Sequence, residues 1–94
     1  MRVREVIWLP EIEDKLWDKH RITVIEAEEV LFGEPHVRFV EQGHQRSEDL
    51  YAAYGQTDAG RYVIVVFVLQ QDSQALVVSA RDMEGKERKT YGRK

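Results

Sequence analysis

The sequence contains no cysteine, so it has no disulfide framework and no thiolate nucleophile, and a zinc site built on thiolates is excluded. Its three histidines, His20, His36 and His44, show no HxH or HxxxH spacing, and neither a metal nor a cofactor is expected. Long apolar runs are also missing. The longest, Tyr62 to Leu69, falls far short of the ~20 residues of a membrane span. The first ten residues mix Arg2, Arg4 and Glu5 with their apolar side chains, which does not make the core of a signal peptide. A soluble, cytoplasmic protein without membrane association is expected.

Positive charge is scarce through most of the chain. Residues 1–80 hold 8 basic and 14 acidic side chains, whereas residues 81–94 hold 6 basic and 3 acidic ones. A net charge of −3 disfavours non-specific binding to phosphate backbones, so any contact with nucleic acid requires a local patch. Two clusters could supply one: Lys15, Lys19, His20 and Arg21, and the tail from Arg81 through Lys86, Arg88 and Lys89 to Arg93 and Lys94. The plainer reading of the tail is a solvated helix end.

What the chain has in quantity is β-branched and aromatic sequence in its last third. Tyr62 to Leu69 and Ala75 to Ser79, with Gln71 to Gln74 between them, read as a β-hairpin. The first run is apolar on both pleat faces, which suits a central strand covered on both sides. Arg81 follows the second run where a buried scaffold meets solvent, a common place for binding and catalytic groups. Ninety-four residues make one domain with one core.

The rest of the chain supplies the cover. Val3, Glu5, Ile7 and Leu9 alternate with Arg4, Val6 and Trp8 in a first strand that stops at Pro10. Pro10 opens a helix whose first turn carries Glu11, Glu13 and Asp14 and whose last turn carries Lys19 and His20, complementing the macrodipole. For His20, a dipole partner or a half-buried packing residue stands beside a catalytic role. Thr23 and Glu26 have the spacing of a capping box for a second helix, which ends at Gly33 in an expected left-handed terminus. Its Glu26, Glu28 and Glu29 read as capping and solvated residues rather than as acid/base carboxylates.

Strands are expected over 36–41, with Val37 and Phe39 on one face and Arg38 on the other, and over 50–56, with a polar loop between them holding His44, Arg46 and Glu48. Residues 57–60 form a turn into the central run, and a short helix follows Met83. The fold class is therefore α+β: a mainly antiparallel sheet of four to five strands, two N-terminal helices and a short C-terminal helix.

Several pieces of sequence on this frame match a known family. They are Trp8, Lys19-His20 followed by Ile22-Thr23 and Glu26-Ala27, the segment Tyr54 to Tyr62, Val65-Val66-Phe67, Ser79-Ala80-Arg81, and Glu87-Arg88 with Tyr91. The chain resembles the BrnT family of bacterial toxins across nearly its whole length. That resemblance implies a RelE-like fold and metal-free cleavage of RNA. It also implies neutralisation by a small DNA-binding antitoxin from the same operon, with the toxin as a homodimer in the complex. Many members carry polar residues where this chain has Ile12, Leu16, Leu50 and Leu76, and a glycine where it has Arg21.

Cleaving RNA through its own 2′-hydroxyl needs a base for that proton, an acid for the departing 5′-oxygen, and cations for the phosphate. Under the resemblance, His20 is the general acid/base, Lys19 and Arg81 hold the phosphate, and Glu48 or Glu87 orients a cation or shares the proton transfer. Lys15, Arg88 and Tyr91 are candidates for further RNA contact. A salt bridge to Asp82 or Glu87 is the plainer reading of Arg81, and packing that of Tyr91. Two other functions remain open: a non-catalytic interaction module whose Leu50 and Leu76 extend an exposed apolar patch, and a small nucleic-acid-binding domain that stacks bases on Trp8 or Tyr91.

Overall fold

The computed structural model describes residues 2–44 and 48–92; Arg46, Arg93 and Lys94 lie outside the described residues. Pairing of the two apolar runs sets the architecture. Tyr62–Gln70 (β4) and Gln74–Asp82 (β5) form an antiparallel hairpin closed by a 3₁₀ turn at Gln71–Ser73. Leu50–Gln56 (β3) pairs antiparallel with β4, and His36–Glu41 (β2) with β3. The first strand, Glu5–Ile7 (β1), lies parallel to β5 on the other edge, giving the order β1-β5-β4-β3-β2. It is shorter than the alternation of residues 3–9 suggests, because Trp8 leaves the ladder and its indole Nε1–H donates to Glu28 at 2.9 Å.

One irregularity sits at the centre of the sheet. Phe67 faces Val77 and Val66 faces Ser79, which leaves Val78 as an extra residue, a β-bulge. Val77 and Ala80, three positions apart, consequently both reach the main core, and both are fully buried.

Pro10–His20 (α1) and Val24–Phe32 (α2) cover one face of the sheet. Leu16, Ile22, Ala27, Val30 and Leu31 pack there on Val63, Val65, Phe67 and Val77. Leu16, one of the departures from the family pattern, is 1% exposed, so packing explains an apolar residue at that position. α1 starts at Pro10 as expected and ends in a left-handed cap of the αL type, with the Arg21 N–H donating to Trp17 O at 3.0 Å, the Ile22 N–H donating to Leu16 O at 3.2 Å, and the buried pair Leu16–Ile22 beside it. Arg21 holds the left-handed position, at φ 54°.

The capping box of α2 is present in both directions, Glu26 N–H to Thr23 Oγ1 at 3.1 Å and Thr23 N–H to Glu26 Oε1 at 3.0 Å. Thr23→Ala is therefore expected to cost about 1 kcal/mol, read as a lower urea midpoint with an unchanged denaturant slope. Gly33 departs from expectation. Its φ is −95°, and Glu34 takes the left-handed conformation instead, at φ 58°. Glycine is suited to position 33 by close approach, since a Cβ there would lie 2.6 Å from Glu29 O. Gly55 on β3 likewise lets α2 settle on the sheet, because a Cβ would stand 3.1 Å from Val30 Cγ1.

The opposite face of the sheet is covered differently from what the apolar central run suggests. Gly85–Gly92 (α3) lies over one end, where Met83, Ile64 and Ala52 form a second small cluster with Tyr54, Tyr62, Val66 and Tyr91. Beyond it, Ile7, Leu76, Val68 and Leu50 stand opposite one another in a single cross-strand row. All four are half-buried.

Candidate active site

Alternation along β5 after the bulge sends its last two side chains to opposite faces. Arg81 emerges on the face that carries α3, in register with Ile64, Tyr54 and His36 across the sheet. There its guanidinium meets Glu87 in a two-pronged pair, NH1 to Oε1 at 2.8 Å and NH2 to Oε2 at 2.7 Å, while NH1 also donates to Asp82 O. Glu87 occupies the third position of α3 and accepts the Glu84 backbone N–H at 2.8 Å, one half of a capping box. The hydrogen bonds from Arg81, and then from Glu84, push the Glu87 carboxyl down to about 2. At neutral pH this carboxylate is charged and its charge is answered by Arg81.

Beside that pair lies a pocket of about 310 Å³ lined by His36, Arg38, Tyr54, Lys86, Glu87, Thr90 and Tyr91. His36 and Arg38 reach it from β2 because residues two apart share a strand face; Tyr54 is His36's direct partner on β3, with ring centroids 6.4 Å apart. With Glu87 matched by Arg81, Arg38 and Lys86 leave the pocket locally positive on a chain of net charge −3. Tyr62 extends the aromatic surface. Tyr91 meets its ring edge-on at 6.1 Å, and the Arg88 guanidinium lies 4.4 Å from its centroid.

The structure thus groups four of the sequence candidates, Arg81, Glu87, Arg88 and Tyr91, around α3. The plainer readings hold alongside this: Arg81 is in a salt bridge with Glu87 and Tyr91 packs against the sheet. It does not bring the other candidates to this group. His20 is the half-buried last residue of α1, and its carbonyl accepts from Arg61 NH2 at 2.8 Å. Lys15 and Lys19 are exposed on the same helix, and Glu48 is exposed in the loop before β3. Asp82, unlike Arg81, turns toward the helix layer, where Arg61 binds it at 2.7 Å and holds its carboxyl below the ordinary range.

Arg61 is the residue that sequence reasoning missed on this side. Its guanidinium joins Asp82, Glu26 and the carbonyls of His20 and Arg21, so one cation ties β5 to the end of α1 and the start of α2. On the pocket side, His36, Arg38, Tyr54 and Thr90 were missed, while Lys86 had been named only as part of the basic tail. The signal for Arg38 was available, since alternation in residues 36–41 separates it from Val37 and Phe39; nothing local pointed to α3 as its opposite wall. Among the described residues, no group of three or more histidine, aspartate or glutamate side chains is placed to share a metal ion, and no helix is long and apolar enough to cross a membrane.

The chain is thus a small α+β protein with a cationic, tyrosine-lined pocket on one face of its sheet. The particular family follows from the sequence match: residues 8–87 fit the model of the ribonuclease toxin BrnT of type II toxin-antitoxin systems, and the chain belongs to that family. The match takes in Arg81 and Glu87 and ends before Arg88 and Tyr91. No curated protein matches the chain.

Proposed function

We propose that this protein is an endoribonuclease toxin that cleaves RNA by attack of the 2′-hydroxyl, without a metal, and that a cognate antitoxin neutralises it in the cytoplasm by binding a toxin homodimer. The observation that carries the reading is the convergence of Arg38, Lys86 and the Arg81–Glu87 pair at one tyrosine-lined pocket. Phosphoryl-transfer transition states concentrate charge on the phosphate oxygens, and fixed cations stabilise that charge without reorganising. Three N–H groups of Arg81 are taken by Glu87 and Asp82; of the five that a guanidinium carries, the remaining ones can meet a phosphate while Glu87 fixes the plane of the group. Tyr91 and Tyr62 offer faces on which unpaired bases can stack.

The test is cleavage of RNA in EDTA by antitoxin-free protein. Arg81→Ala, checked for folding, is expected to lower kcat/KM at least about tenfold, about 1.4 kcal/mol of transition-state stabilisation. Absence of cleavage by the folded wild type would overturn the reading. It would favour instead an interaction module of the same fold, a second reading supported by the half-buried aliphatic row of Ile7, Leu76, Val68 and Leu50.

A further inference from the structure

We infer that the pocket between β2, β3 and α3 receives the nucleotide whose 2′-hydroxyl attacks, and that His36, not His20, is the general base. The inference rests on the ribonuclease reading and gives it a reacting group. Imidazole is the side chain best suited to take up and return a proton near neutrality, and the chain has three. His20 ends α1, and the Arg61 that binds its carbonyl also grips Asp82, the side chain on the face of β5 away from Arg81. His44 is exposed in the loop beyond the far end of β2. His36 alone of the three lines the pocket, on the same strand face as Arg38 and in cross-strand register with Tyr54.

The pocket's volume of about 310 Å³ lies at the small end of ligand sites, roughly 300–1,000 Å³, which suits a single nucleotide better than a folded RNA surface. Its walls divide by chemistry. Tyr54 and Tyr91 present rings to a base, while Arg38 and Lys86 present cations to the phosphate. In the reaction the neutral His36 imidazole takes the 2′-hydroxyl proton, the 2′-oxygen bonds to phosphorus, and the bond from phosphorus to the 5′-oxygen breaks. The 5′-oxygen takes a proton from water, and the imidazolium returns one to the hydroxide so formed. The products are a 2′,3′-cyclic phosphate and a 5′-hydroxyl. Among the described residues, the charged and titratable groups that line the pocket with His36 are Arg38 on its own strand, Tyr54 on β3, and Lys86, Glu87 and Tyr91 on α3.

The experiment measures cleavage of a single-stranded RNA oligonucleotide in EDTA by wild type, His36→Gln and His20→Gln, with binding of the uncleavable 2′-deoxy oligonucleotide measured in parallel. His36→Gln is expected to lower kcat by about a hundredfold or more, the usual range for loss of a general base, to leave binding of the analogue within about threefold of wild type, and to lose the acidic limb of the pH–rate profile. His20→Gln is expected to stay within about threefold in both. Wild-type rates in His36→Gln, an equal loss of binding and cleavage in it, or an intact acidic limb would overturn the His36 role while leaving the ribonuclease reading standing. Absence of cleavage by wild type would overturn both.

Discussion

Phe67→Ala is expected to cost about 3–5 kcal/mol of folding stability, a large share of the 5–15 kcal/mol that holds a typical domain together. Phe67 is fully buried in the central strand, faces Val77 across the bulged pair, and stacks on Tyr51 with ring centroids 5.9 Å apart. Truncation removes the apolar area and leaves a cavity whose neighbours on β3 and β5 are held in register by backbone hydrogen bonds, so collapse into it is limited. One wall can yield. Phe67 also borders a groove under Leu31, Val3 and Val37, and movement there would bring the cost toward the lower bound. Urea unfolding should show the midpoint fall with the slope unchanged; a loss below about 1 kcal/mol would mean that the core repacks freely, contrary to this account.

Arg61→Met should cost about 2 kcal/mol at neutral pH, a value set by lost charge-assisted hydrogen bonds rather than by burial. Two backbone carbonyls at the end of α1 lose their donor, and Glu26 and Asp82 lose their counter-charge. The Asp82 side chain is 56% exposed and Arg61 28%, so solvent and salt reduce the Asp82 share, and most of the effect belongs to the carbonyls and Glu26. The pH dependence has a definite sign. Arg61 lowers the Asp82 carboxyl from its ordinary 3.8, so its contribution is present above that value and fades as pH falls through the lower folded one. The gap in urea midpoint between wild type and Arg61→Met should therefore narrow from pH 7 to pH 3. Equal midpoints at pH 7 would show that the clamp is not stabilising.

Much of the fold could be read from the sequence because its causes are local. Pro10 at a helix start, the Thr23–Glu26 box and the two β-rich runs each act over a few residues, and each appears where its chemistry placed it. Gly33 shows the limit of such rules: the glycine is required, but by the Glu29 carbonyl one turn back rather than by a left-handed φ. The candidate site was legible in part. Arg81 and Glu87, six positions apart, could be paired by inspection; Arg61 finds partners 21, 35 and 40 positions away, and no pattern in a single sequence encodes those. His36 and Lys86 share one pocket only because β2 is the edge strand three places from β5 and α3 folds back over the same face.

The extra residue at Val78 decides which chemistry each side of the sheet carries. Strict alternation from the buried Val77 would turn Arg81 toward the helices and Asp82 toward α3. Arg81 would then confront Arg61, and Asp82 would confront Glu87, so two attractive encounters would become two repulsive ones. A single insertion in the strand's count therefore acts as a polarity selector: it delivers a cation to the face with the pocket and an anion to the face with the clamp, from neighbouring positions on one chain.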